Sequence, residues 1–273
     1  MNRTPDPREQ TGRPGVPDHT VWQLGHKRAD VALVIPVIDE GDRLRRQLTR
    51  LQRSSEPVDI IIADGGSADG STDPLVLAQL GVRTLLVKRG PGRLSAQLRM
   101  GFAHCMDEGY DAVVTMDGND KDGEDGLARI VAALRDGADF VQGSRFIDGG
   151  VAENTPLTRY VAIRALHAPL TSLAARHRYT DTTNGFRGHS RSLVCSPEME
   201  LLRDVFDSYE LLAYIPIRAA RLGMRCIEVP VSRRYPPGKP PTKIHRWSGS
   251  ASLVKILISA ARGRFDPDAA VET

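Results

Sequence analysis

From Val31 to Gln142, short hydrophobic runs alternate with turn residues and with stretches in which apolar positions recur every three or four residues. VALVIPV (Val31–Val37) is β-branched and aliphatic without polar alternation, the pattern of a strand covered on both faces. RLRRQLTRLQR (Arg43–Arg53) spaces Leu44, Leu48 and Leu51 for an amphipathic helix, with the arginines at 43, 45, 46, 50 and 53 on a solvated face. The same rhythm predicts strands at Val58–Asp64, Val82–Lys88, Asp111–Asp117 and Asp139–Arg145, and helices at Asp73–Gly81, Arg93–Gly109 and Asp125–Gly137. Such alternation implies right-handed βαβ units in a single-domain α/β fold, doubly wound, with a mostly parallel sheet and helices on both faces. After Phe146 the rhythm changes. A long helical stretch, Thr155–His177, is expected to be interrupted at Pro169; Asp181–Val194 is turn-rich and then β-like; Ser208–Gly223 is helical. Met224–Tyr235 reads as one strand, PPGKPPTK as a mobile Pro-rich loop, and Gly249–Arg264 as a C-terminal helix.

In sheets of this kind ligands bind beyond the carboxyl ends of the strands, and polar residues gather there. Asp39 and Glu40 follow the first strand, Asp64-Gly65-Gly66-Ser67 the second, Gly90-Pro91-Gly92-Arg93 the third, and VVTMDGNDKDGEDG carries an acid cluster after the fourth. Carboxylates this close repel unless water, a cation or a helix N-terminus compensates them. Asp117 and Asn119 offer two side-chain oxygens to one hard divalent cation, whose remaining positions suit phosphate oxygens. Asp122, Glu124 and Asp125 read instead as caps of the following helix. The glycines after Asp64 allow close backbone approach by a ligand, and Asp64 can bind an amide or a ribose hydroxyl. No GK[ST] follows, and GPGR is not GxGxxG, so P-loop hydrolase and dinucleotide dehydrogenase readings lose ground.

Composition narrows the partners. A net charge of +3 hides 37 basic and 34 acidic residues in 273, which gives no nucleic-acid signature. Arginine dominates the basic set, and arginine grips phosphates and carboxylates bidentately. Cys105, Cys195 and Cys226 lie far apart, as expected of reduced cytosolic thiols, and the histidines, His104 and His189 among them, lack metal-ligand spacing. The polar N-terminus has no signal-peptide core, and no run approaches the ~20 apolar residues that span a bilayer, so a cytoplasmic protein is expected. The basic, amphipathic LVKILISAARGR leaves peripheral membrane contact open, with ordinary packing as the preferred reading.

VIPVIDE, IIADGGSADGSTD, VVTMDGND, VQGSRF, TNGFRGHS and IEVPVSRRYPPGKPPTK occur in an order and spacing similar to those of family 2 glycosyltransferases, over roughly residues 30 to 245. The pattern most resembles the dolichyl- or polyprenyl-phosphate sugar transferase branch. The resemblance implies a GT-A fold, a UDP- or GDP-sugar donor, Mg²⁺ or Mn²⁺, and inversion at the anomeric carbon. It places Pro36, Ile38 and Glu40 in the nucleotide wall. Asp64 matches the first acid of the family's Asp-Asp-Gly-Ser turn, with Gly65 in place of the second. Asp117 matches the first acid of the metal motif, Gly118 lies in the substrate site, and Asn119 stands where a second acid is usual, with Asp120 one residue later. The implied metal ligands are therefore Asp117 with Asn119 or Asp120. Arg145, Arg187, Arg234 and Lys243 match basic positions that face donor or acceptor phosphate. A hydroxyl acceptor needs a carboxylate base, for which Asp207 and Glu210 are the candidates beside the catalytic Asp117; a lipid phosphate is already ionised and needs none. The acceptor itself is not identified. Residues 1–28 then form a disordered leader, 29–146 a nucleotide-sugar-binding half, 147–264 an acceptor-side half, and 265–273 a tail. Two alternatives stay open: a sugar-phosphate nucleotidyltransferase, whose Gly-rich basic N-terminal loop is missing, and a non-catalytic sugar-nucleotide-binding module.

Overall fold

The computed structural model describes residues 6–236 and 246–267. In chain order the elements are β1 (Arg8–Gln10), β2 (His19–Gln23), β3 (Val31–Val37), α1 (Asp42–Leu51), β4 (Asp59–Asp64), α2 (Pro74–Gln79), β5 (Val82–Lys88), α3 (Leu94–Asp107), β6 (Ala112–Thr115), α4 (Asp125–Arg135) and β7 (Phe140–Ser144). There follow β8 (Val151–Glu153), α5 (Leu157–Ala162), a π-turn (Ile163–His167), α6 (Ala168–Ala175), β9 (Arg187–Ser190), α7 (Arg191–Val194), α8 (Glu210–Arg221), β10 (Cys226–Pro230), β11 (Ser232–Arg234) and α9 (Arg246–Ala261). Among the described residues the main sheet has nine strands in the order β1-β2-β5-β4-β3-β6-β9-β7-β10, and β11 pairs with β8 in a separate ribbon. Strands β5, β4, β3 and β6 are mutually parallel, so their carboxyl ends share one edge.

The central strand β3 explains its own unbroken apolar run. Val31, Leu33, Ile35 and Val37 join the core beneath α1, α2 and α4, while Ala32 and Val34 face the core beneath α3 and α8. Successive strand residues point to opposite faces, and here both faces are covered. The helix face predicted for α1 is also observed, with Leu44, Leu48 and Leu51 buried.

Two expectations change, the disordered leader and the single strand at Met224–Tyr235. Residues of the supposed disordered leader form β1 and β2, and β2 pairs antiparallel with β5. The short HTVWQ alternates too briefly to stand out, yet it supplies hydrogen bonds to an otherwise open sheet edge and buries Val21. The interruption expected at Pro169 is observed: the π-turn breaks the helical stretch just before Pro169, whose missing N–H cannot continue an α-helical ladder. Met224–Tyr235 is two strands: β10 continues the main sheet beside β7, and after Pro230 the chain leaves it to pair with β8. The antiparallel β9 lies between β6 and β7. Finally, α9 packs against α8 and α6 with Leu257 and Ala260 buried, the ordinary packing preferred for that helix.

Candidate active site

The loops after β3 and β4 are laced together. The Asp39 N–H donates to Ser67 Oγ at 3.0 Å, Ala68 N–H to Asp39 Oδ1 at 2.8 Å, and Gly41 N–H to Asp69 Oδ2 at 2.9 Å. Burial presses the Asp69 carboxyl upward, but hydrogen bonds from the Ser71 hydroxyl, Ser71 N–H and Gly41 N–H hold it below its ordinary value. Asp64 is buried and organises its own turn. Its Oδ1 accepts from Gly66 N–H, Ser67 N–H and the Ser67 hydroxyl, and its Oδ2 from Thr72 Oγ1. At the end of β3, Pro36 is half-buried and Ile38 is exposed, while Glu40 pairs with Arg43 at 2.9 Å.

The acid-rich turn after β6 is held from two sides. From α1, the buried Gln47 donates to the Asp117 carbonyl at 3.0 Å and accepts from Asp120 N–H at 2.9 Å. Gly118 lies so close to β3 that a Cβ there would meet Val37 Cγ1 at 2.6 Å. From β11, the Arg233 guanidinium reaches Asp117 Oδ2 at 2.9 Å and the buried Asp122 at 2.6 Å. Burial lowers the Arg233 pKa, but the Asp122 and Asp117 carboxylates outweigh it and keep the guanidinium charged. Asp120, at φ 60°, turns away from Asp117 and pairs with Arg46 at 3.0 Å and Arg50 at 3.1 Å. The arginine face of α1 is thus not merely solvated: Arg43, Arg46 and Arg50 all reach acids of the site loops. The capping expectation is corrected as well. Asp122 is an ion-pair partner, Glu124 makes no side-chain cap bond, and Asp125 sits in the first turn of α4 and accepts from Ser232 Oγ.

The two candidate metal-ligand pairs now separate. Asp120 has its oxygens against arginines, whereas Asn119 Oδ1 is buried with no hydrogen-bond partner and its amide lies 3.4 Å from Asp117 Oδ2. Beside Asp117 Oδ1 the chain has Gly185, where a Cβ would come within 2.5 Å. An acid oxygen and an unpartnered amide oxygen suit a hard cation that takes its other ligands from phosphate. No group of three His, Cys, Asp or Glu suited to a metal occurs among the described residues.

The predicted basic residues divide sharply. Arg145 is buried in a bidentate bond to Asp181, at 2.6 and 2.9 Å, and also donates to Thr183 Oγ1. Arg187 is buried too, and donates to the carbonyls of Thr182, Asn184 and Leu212. Pro216, four residues after Leu212 inside α8, has no N–H for that carbonyl, and Arg187 supplies the missing donor. Burial lowers the Arg187 pKa to about 10. Neither side chain is placed as a phosphate clamp; both brace the walls. Arg234 points outward and pairs with Glu153 at 3.0 Å, and Lys243 lies outside the described residues, as does the PPGKPPTK loop beyond Pro236. The inward cation on β11 is Arg233, one residue earlier than expected, because alternate strand residues face opposite sides. Val231, Arg233 and Tyr235 are all buried and Arg234 is exposed, with Ser232 buried on the other side against Asp125.

Buried Tyr235 anchors a cationic wall. Lys121 and Arg159 lie over its ring at 5.0 and 5.7 Å, Arg233 at 5.8 Å, and Arg159 Nη1 donates to its hydroxyl at 2.9 Å. Burial raises the Tyr235 pKa, yet Arg233 and Arg159 pull it below its ordinary value. Of the candidate bases, Glu210 begins α8 with its carboxylate on Ser208 N–H, while Asp207 stays exposed beside the β5–α3 loop, its carbonyl accepting from Arg93 N–H. A pocket opens beside Asp117, walled by Pro36, Leu94, Leu98, Leu211 and Ile215.

The profile of glycosyl transferase family 2 matches residues 32–207, more than half of the chain. The chain belongs to glycosyl transferase family 2. This glycosyltransferase is 26% identical over 240 residues to polyprenol monophosphomannose synthase of Mycolicibacterium smegmatis, covering 86% of this chain and 88% of that protein. It is 28% identical over 205 residues to undecaprenyl-phosphate mannosyltransferase of Micrococcus luteus, covering 74% and 82%. Among solved structures, glucosyl-3-phosphoglycerate synthase from Mycobacterium tuberculosis, in complex with Mn²⁺, uridine diphosphate and phosphoglyceric acid, aligns with a TM-score of 0.58 at 19% identity over 85% of this chain and 78% of that one. At that identity the likeness establishes the fold, and the fold is GT-A. Family membership sets aside the nucleotidyltransferase and non-catalytic readings.

Proposed function

We propose that this glycosyltransferase moves a hexose, with inversion, from a nucleoside-diphosphate sugar to a polyprenyl phosphate, with a divalent cation held by Asp117 and Asn119. The observation that carries the proposal is the cationic wall of Arg233, Lys121 and Arg159 around Tyr235, which stands directly beside Asp117 through the Arg233–Asp117 pair. Negative charge develops on the leaving diphosphate as the anomeric bond breaks, and fixed cations in a partly dry site stabilise it without reorganising. The cation would add the same service at the donor phosphates. Asp117 and the orphaned Asn119 oxygen hold that side; Lys121 and Arg159 are the natural grip for a second phosphate on the acceptor.

Several carboxylates near Asp117 are already engaged, Asp120 by Arg46 and Arg50, Asp122 by Arg233, and Asp181 by Arg145. A phosphate monoester is largely ionised at neutral pH and attacks without giving up a proton to a base. The names of the two sequence relatives agree with that acceptor and make mannose the first sugar to try. The test is turnover of a panel of GDP- and UDP-sugars with a short-chain polyprenyl phosphate and Mg²⁺ or Mn²⁺, with the product identified by mass spectrometry. Formation of a polyprenyl phosphosugar, retained within a few-fold in Asp207→Asn, is the expected result. Turnover only with hydroxyl acceptors, abolished in Asp207→Asn, would overturn it.

A further inference from the structure

We infer that the outward face of α5, the π-turn and α6 is a docking surface for the anionic surface of a lipid bilayer. Of the ten exposed large hydrophobic side chains among the described residues, five fall in this one segment. Leu157 is 75% exposed, Val161 51% and Leu173 79%, with Tyr160 and Leu166 also open. Single exposed hydrophobes scattered over a surface need no explanation; a concentrated set does. Leu157, Tyr160 and Val161 follow helical spacing, and Leu166, inside the π-turn, is exposed as well. Helix α5 buries no residue, while the π-turn and α6 turn Ile163, Ala168, Thr171 and Ala175 inward, where α6 packs on α8 and α9.

Charge selects the occupant. Between Glu153 and Asp181 the chain has no acidic residue, although 34 of its 273 residues are acidic. In the same interval Arg164, Arg176 and Arg178 are exposed. An apolar stripe with basic flanks matches the headgroup boundary of an anionic membrane. A second copy of the chain would bring like-charged arginines together across the interface, which disfavours self-association there. No described helix is long and apolar enough to cross a membrane, so the face would rest on the bilayer rather than span it.

The surface is continuous with the reaction site. Tyr160 packs edge-on against Phe146 at 5.4 Å, Arg164 lies over the same ring, and Arg159 bonds Tyr235 in the cationic wall. A lipid phosphate lying in a bilayer under this face would present its headgroup next to Arg159 and Lys121. The inference deepens the polyprenyl-phosphate reading, and its test separates the two.

The test is flotation of the purified full chain with vesicles of phosphatidylcholine, with and without phosphatidylglycerol, compared with a Leu157→Gln/Val161→Gln/Leu173→Gln variant. The three side chains are exposed and outside the catalytic machinery, so circular dichroism and turnover of a short soluble acceptor should match the parent. We expect the parent to float with phosphatidylglycerol vesicles in a salt-sensitive manner, and the variant's bound fraction to fall roughly tenfold. Turnover of a long-chain acceptor embedded in those vesicles should fall with it. Absence of flotation in the parent, or equal flotation of the variant, would overturn the inference while leaving the short-chain reaction intact. So would a concentration-dependent dimer lost in the variant without any vesicle binding. Flotation lost in the variant, with no turnover of any prenyl phosphate by either protein, would instead support the docking face and sink the acceptor reading.

Discussion

Asp64 is the last residue of β4 and Asp117 lies two residues beyond β6, at the same edge of the parallel strands, and both are followed by glycine. Asp64 binds its own loop with both oxygens and is 1% exposed. Asp117 has a side chain 30% exposed, a shared guanidinium and the Asn119 amide on one oxygen only, and an unpartnered amide oxygen nearby. The same local sequence therefore makes a fastening in one loop and an open ligand position in the other. What separates them is supplied from a distance: Ser67 and Thr72 close the first, whereas Gln47 and Arg233 hold the second from outside and leave its front open.

Breaking that contrast should have its largest effect at Asp117. Asp117→Ala is expected to reduce turnover about a thousandfold and to abolish any nucleotide- and Mn²⁺-dependent rise in melting temperature, with the fold retained. Asp64→Asn should act on the fold instead. Loss of a buried, charge-assisted acceptor costs about 2 kcal/mol, read in urea unfolding, while most of kcat survives at saturating donor. If both substitutions behave alike, the contrast is wrong. Within the open loop, Asn119→Ala is expected to raise the half-saturating Mn²⁺ concentration for the thermal shift roughly ten- to hundredfold. Asp120→Asn should leave that concentration nearly unchanged, since its carboxylate already faces Arg46 and Arg50.

The smallest effect concerns stability against pH. Burial lowers the His189 pKa to about 3, with Arg187 adding to the shift, and burial lowers that of His104 to about 4 against the pull of Glu108. The unfolded chain, with histidines near 6.5, takes up protons first, so stability is complete above that value and falls as pH drops toward the folded values. Each histidine costs up to about 1.4 kcal/mol per pH unit in that window. His189→Leu should flatten the slope of urea stability between pH 6 and 4 by about one proton. An unchanged slope would show that His189 is not buried neutral.

Much of the first half was legible because its signals are local. Val31–Val37 and Val82–Lys88 appear as strands with the limits read from their apolar runs, and Asp73 caps α2 through Val76 N–H ahead of Pro74. The site was legible in outline, since four polar strand ends in parallel register must meet. Its inner supports were less so. Gln47 lies between Leu44 and Leu48 on the buried face of α1, and a polar residue on an apolar stripe was the available signal. Arg233 was displaced by one residue to Arg234, because a strand read as continuous through Pro230 carries no cue to its restarted alternation. Arg187 drew its role from Pro216, which no local pattern connects to it.

By itself the sequence determined the βαβ order, the layers on both faces of β3, and the gathering of Asp39, Asp64, Arg93 and Asp117 at one sheet edge. These follow from periodicity and capping within a few residues, where chain connectivity leaves little choice. Only the tertiary structure decided which polar groups are already satisfied. A carboxylate or guanidinium is a ligand site or a brace according to the partners brought to it across the fold, and burying one without a partner is too costly to persist. That contact set closes Asp64, turns Asp120 toward α1, ties Arg145 and Arg187 into the walls, and leaves Asp117 partly exposed beside an Asn119 oxygen without a partner.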